Sequence, residues 1–236
     1  MIILFAPAKT LKNAKALMKS APFPFEEKTK SILNHVQRLD QTQLMDSLHV
    51  SIHQIEEIYQ IYQQFDSLPY FHAFDLLDGV AYKALDYQHL QKEDQAFLNQ
   101  RVYVIDALYG ILQPNTPIKP YYLDMGFKGL NLRGFWRPIA WEWLKQTIKK
   151  KEEILSLTSS EYRNVLPKNA PIFEVSFLDC KNGICKANSV FSKQMRGKLL
   201  RYIAINHLSN IEKLPAEFEQ YHLEKEGRNL TYKRFL

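Results

Sequence analysis

The chain has only two cysteines in 236 residues, no apolar run of membrane-spanning length, and none of the common nucleotide or hydrolase signatures. Two cysteines are too few for a disulfide-held scaffold. A membrane helix needs about 20 consecutive apolar residues. The opening apolar stretch, Ile2–Ala6, is much shorter and follows no basic segment, so it does not read as a signal peptide. A cytoplasmic location is expected. The patterns G-x-x-x-x-G-K-S/T, G-x-G-x-x-G and G-x-S-x-G are absent, as is any C-x-x-C pair for zinc. His49 and His53 are four apart, a spacing that can place two imidazoles on one helix face. Ser51 between them reads as a helix N-cap, which leaves His49 outside the helix, and no third ligand is near. The sequence therefore calls for no metal and no cofactor.

What is present is an ordinary globular composition, 46% hydrophobic and 24% charged, which excludes disordered and collagen-like chains. The formal charge of +6 conceals a segregation. Residues 1–39 sum to +5, residues 40–106 to −8 and residues 107–236 to +9. Residues 181–201 hold six bases and no acid. Such asymmetry points to an anionic partner, unless folding intermixes the segments. The acidic segment could equally dock a basic protein or the basic ends of another copy.

The strand signals run from end to end. "MIILF" reads as a buried strand ended by Pro7. Pro22 and Pro24 precede a helix near Glu26–Leu39, Thr42 can cap the next, and Ser51 caps a third. "KEDQAFLNQ" is helical and feeds the strand "RVYVI"; a further helix is expected over Pro138–Lys151, and a strand at "EEILSLTSS". Asn182-Gly183 is a two-residue hairpin signal that sets Cys180 opposite Cys185. That register would permit a disulfide, but a cytosolic chain keeps thiols reduced, so two quiet thiols are expected. A final hairpin turns at Glu226-Gly227. No repeat or linker divides the chain, so residues 1–236 read as a single domain of α/β (mixed α+β) class, a mixed sheet flanked by helices.

The helix expected over Lys193–His207 carries the clearest charge pattern. Met195, Leu199, Tyr202 and Ile203 share one face; Lys193, Lys198 and Arg201 share the other, with Arg196 at the edge. A solvated face usually mixes signs, so four cations without an acid suit phosphate contacts. Gly197 in mid-helix costs ~1 kcal/mol against Ala; close approach of a ligand or a neighbouring helix would explain it. The turn in "DALYGILQP" (Asp106–Pro114) either offers backbone N–H groups to a phosphate or is a plain turn packed by Leu108, Tyr109 and Leu112.

Taken together, "APAKTL" (Ala6–Leu11), "ALYGILQP" (Ala107–Pro114), "PYYLDMG" (Pro120–Gly126), Phe135-Trp136, "SLTSSEY" (Ser156–Tyr162), "FLDCKNG" (Phe177–Gly183), "SKQMRG" (Ser192–Gly197) and "TYKRF" (Thr231–Phe235) resemble the YaaA family of bacterial peroxide-stress proteins, in order and over the whole length. The resemblance implies an α/β domain of unusual fold with a basic cleft, a cytosolic role in limiting damage from free iron, and binding of double-stranded DNA with a helix-hairpin-helix-like element, here assigned to Leu108–Leu112. The chain departs from the family pattern at Val80 and Ala81 (Asp-Val), Tyr122 (Arg), Asp124 (Glu), Ser156 (Asn) and Thr158 (Ala), and the cysteines are not part of it.

Two functions follow as expectations. The first is non-sequence-specific binding of double-stranded DNA, or another polyanion, through Lys193, Arg196, Lys198 and Arg201, with Lys9, Arg133 and Gly110 as further contacts. The alternative is an enzyme acting on a phosphorylated or nucleotide-like small molecule. Lys9 and Thr10 after the first strand, with Ser159, Glu161 and Tyr162 after a later one, would form its site, Glu161 as general base and Lys9 as anion clamp. That alternative requires Lys9 and Glu161 to share a pocket.

Overall fold

The four residues Ile2–Phe5 form a strand buried along its whole length, as expected for a strand covered on both faces of a parallel sheet. It is central, pairing in parallel with Val102–Asp106 on one side and Ile154–Ser156 on the other. The computed structural model describes residues 1–18, 22, 25–149 and 151–236; Pro24, expected to help separate the opening loop from the first helix, lies outside them. Among the described residues one mixed sheet has nine strands. Its middle five, Asn229–Phe235, Ile172–Lys181, Ile154–Ser156, Ile2–Phe5 and Val102–Asp106, lie side by side in that order and all run parallel. Antiparallel strands complete it: Gly110–Leu112 at one edge, Tyr221–Glu226 and Glu217–Phe218 at the other, and Ile184–Lys186 folded back on Ile172–Lys181. Strands from both ends of the sequence share this sheet and one hydrophobic core, so the expected mixed α/β architecture is the one formed. No helix of the described residues is long and apolar enough to cross a membrane.

Local chemistry explains most element ends. Asn182 (φ 52°) and Gly183 (φ 78°) are both left-handed, as a two-residue hairpin turn of this hand requires, and Cys180 faces Cys185 in the expected register. The two sulfurs are bonded to each other. This corrects the expectation of free thiols: directly opposed positions on an antiparallel ladder bring the two side chains within bonding reach. Ser51 begins the Ile52–Gln63 helix as expected, and His49 ends the preceding one in a left-handed conformation (φ 54°). That preceding helix, Gln41–Leu48, is capped by Asp40 rather than Thr42; the Asp40 carboxylate accepts the Gln43 N–H at 2.9 Å.

Two helices start earlier than the sequence suggests, each because an asparagine supplies the cap. Asn131 accepts the Gly134 N–H at 3.0 Å, so the helix spans Leu132–Lys149 and Pro138 falls inside it. At that depth the proline forgoes its hydrogen bond to the Gly134 carbonyl and its ring crowds that carbonyl. Asn188 accepts the Val190 and Phe191 N–H groups at 3.0 and 3.2 Å, so the cationic helix runs over Ser189–Ile205.

The Leu108–Leu112 stretch does not form a helix-hairpin-helix element. The buried Asp106 carboxylate accepts the Leu108 and Tyr109 N–H groups, both at 2.8 Å, and Gly110–Leu112 then returns as an antiparallel strand. The turn's amide groups are thus occupied from within. Gly110 is buried, and a Cβ there would lie 2.6 Å from the Trp136 ring, so a nucleic acid has no access to it.

A cation-lined pocket as candidate functional site

Because Ile2–Phe5 and Ile154–Ser156 are adjacent and parallel, the segments that follow them leave the sheet at the same end. This is where open α/β sheets place ligands. The Leu157 N–H donates to the Leu4 carbonyl at 2.9 Å, extending the pairing just past the strand. Thr10-Leu11 then pairs antiparallel with Leu77-Asp78, which draws Gly79 and the short helix Val80–Leu85 to the same place. The Tyr82 hydroxyl fastens this arrangement by donating to the Ala6 carbonyl at 3.0 Å. The Ser189–Ile205 helix closes the far wall. Its Gly197 lies against Ala81, where a Cβ would sit 2.0 Å from the Ala81 carbonyl oxygen. The close approach inferred from Gly197 is therefore that of a neighbouring helix.

These elements enclose a cavity of about 310 Å³. Lys9, Thr10, Ser159, Glu161 and Tyr162 all line it, together with Lys193 and Arg196 from the helix. The requirement that Lys9 and Glu161 share a pocket is met. Apolar side chains line it as well: Phe5, Ala6, Val80 and Leu157.

The charges in the pocket are unevenly compensated. Lys9 pairs with the mostly buried Asp124; burial disfavours its charge, but the Asp124 hydrogen bond and charge prevail and raise its pKa. Asp78 is held by Lys83 at 3.3 Å. Glu161 is half-buried, and burial followed by the nearby Asp124 charge raises its carboxyl pKa against the opposing pull of Lys9, Arg133 and Lys193. Arg196 is the least compensated group. Burial depresses its pKa, no charge offsets the effect, and its buried Nε has no hydrogen-bond partner among the described residues. A buried N–H lacking a partner is costly unless an acceptor completes it.

The other proposed cations divide. Arg133 is exposed at the start of the Leu132–Lys149 helix and within electrostatic reach of Glu161. Lys198 pairs with Glu219 at 3.0 Å. Arg201 donates to the Leu85 and Asp86 carbonyls, both at 2.8 Å, and lies 3.4 Å from the Asp86 carboxylate. The expected four-cation face is thus two cations turned to the pocket and two neutralised by distant acids. On the apolar side Met195, Leu199 and Ile203 are buried, but Tyr202 is exposed.

A family profile described as peroxide stress protein YaaA matches residues 1–227. The chain belongs to the YaaA peroxide-stress family. A UPF0246 protein of Finegoldia magna is 30% identical over 220 residues, covering 91% of this chain and 88% of that protein. One of Aliivibrio fischeri is 30% identical over 257 residues, covering 99% and 98%. One of Fusobacterium nucleatum is 24% identical over 234 residues, covering 96% and 94%.

Three of the departures from the expected family pattern lie in or near this pocket. Val80 lines the pocket, Asp124 is the partner of Lys9, and Tyr122 is within electrostatic reach of Lys9. Sequence reasoning missed the pocket roles of Asp78 and the Gly79–Tyr82 wall, and the role of Asp124 as anchor of Lys9.

Proposed function

We propose that the chain, as a cytoplasmic peroxide-stress protein, binds double-stranded DNA without sequence specificity and so helps limit iron-driven oxidative damage. Lys193, Arg196 and Arg133 make the phosphate contacts, and Lys9 lies beside them. The supporting observation is Arg196: its buried Nε has no hydrogen-bond partner among the described residues, and exposed Lys193 is near it in the same helix. Lys198 and Arg201 are left out because each has an internal partner. The test is duplex affinity against salt. Three phosphate contacts give a log–log slope of about −2.7; a slope near zero, or no binding at low salt, rejects the reading.

A second reading is supported by the shared pocket of Lys9 and Glu161: an enzyme acting on a phosphorylated or nucleotide-like small molecule, with Glu161 as general base. Glu161, raised by burial, is suited to accept a proton. Tight binding of a nucleoside monophosphate by a protein that ignores duplex DNA would favour it over the first.

A further inference from the structure

We propose that the pocket holds one unpaired nucleotide swung out of the DNA, its phosphate on Arg196 and its base against the apolar side chains. The inference rests on the DNA-binding reading and adds the occupant of the site. A B-form duplex is too wide to enter a cavity of about 310 Å³, since its major groove alone is ~12 Å across. Phosphates on its convex surface meet exposed Lys193 and Arg133 and the exposed part of Arg196, and leave the buried Nε of Arg196 to a group that enters the cavity. A nucleotide rotated out of the stack carries its phosphate inward.

The lining suits such a guest. Extrahelical bases are held between apolar or aromatic walls and read through hydrogen bonds to their edges. Phe5, Val80 and Leu157 supply apolar surface, while Thr10, Ser159 and Glu161 supply hydroxyl and carboxyl partners. Arg196 also borders a second cavity of about 360 Å³, where the hydroxyls of Ser156, Thr158, Ser160, Ser176 and Thr231 stand beside the Glu174 and Glu226 carboxylates and Arg163. One guanidinium between a cavity that offers apolar side chains and one rich in hydroxyls matches one phosphate with a base on one side and the adjoining sugar on the other. No bond is made or broken; the step is binding.

The test uses the full chain and a short duplex carrying 2-aminopurine at a single-nucleotide bulge, where unstacking costs least. Anisotropy reports binding and 2-aminopurine emission reports the environment of the base. Emission is expected to change several-fold at saturation. Val80→Trp, which plugs the cavity mouth, should suppress that change in protein whose melting temperature shows it folded. Unchanged emission on a DNA that does bind overturns the proposal but leaves the DNA reading intact. Absence of DNA binding by anisotropy overturns both. Deoxyadenosine monophosphate that binds the pocket while bulge emission stays flat overturns it in favour of a free nucleotide.

Discussion

Gly197 and Ala81 touch backbone to backbone: a Cβ on Gly197 would lie 2.0 Å from the Ala81 carbonyl oxygen, 2.8 Å from its carbon and 3.0 Å from its Cα. No flexible side chain is available to yield. Gly197→Ala should therefore destabilise at or above the ~1–3 kcal/mol typical of overpacking, despite alanine's better helix propensity. Calorimetry should show a melting temperature lower by ~2–4 °C per kcal/mol for a chain of this size. An unchanged melting temperature would show that the two helices are not so closely packed.

Asp106 holds the turn before Gly110 through two amides and the Tyr121 hydroxyl. Asp106→Ala orphans all three donors in a buried place, at ~1–3 kcal/mol each. Several kcal/mol of stability should be lost, read from denaturant midpoints with the slope unchanged. A loss under ~1 kcal/mol would mean that water satisfies the turn.

Salt dependence should separate the cations of one helix. Lys193→Ala is expected to reduce the magnitude of the log–log slope by ~0.9, the share of one phosphate contact. Lys198→Ala should leave the slope unchanged, because Glu219 already neutralises that lysine. Equal effects from the two variants would contradict the division between pocket cations and paired cations.

Glu161 sets a pH dependence whose sign can be worked out. Its pKa is raised in the fold, by burial first and Asp124 second. Its contribution to stability is thus present below the unfolded pKa and lost as pH rises through the higher folded value. A polyanion likewise prefers the protonated carboxyl, so DNA affinity should strengthen as pH falls through the same raised value. Glu161→Gln should bind about tenfold tighter at neutral pH, equivalent to ~1.4 kcal/mol, and lose most of this dependence. Weaker binding by the glutamine variant would indicate that the carboxylate aids the ligand.

The features legible in the sequence are those set by near neighbours. Apolar Ile2–Phe5 and the Asn182-Gly183 turn carry their own instructions, and a glycine in mid-helix announces a close contact without naming the partner. Lys9, Thr10, Ser159, Glu161 and Tyr162 could be grouped because loops after adjacent parallel strands emerge together. The remainder depended on partners far away in sequence. Glu219 and Asp86 quench half of a cationic face whose own stretch of chain has no acid. Asn131 moves a helix start back beyond Pro138, where the proline had been the stronger local signal. Asp106 turns an apparent anion-binding loop into a closed hairpin.

The parallel centre of the sheet also governs how the site comes into being. Ile2–Phe5 pairs only with strands roughly a hundred and a hundred and fifty residues away, so contact order is high and folding falls toward the slow end of the range. Lys9, Glu161 and Arg196 come from segments far apart in sequence, so the pocket needs those pairings and the docked helix in place. A ligand for it binds the native state alone. By linkage it stabilises the whole chain by about 2.7 kcal/mol at a hundred times its Kd, so a thermal-shift screen can find that ligand before its chemistry is known.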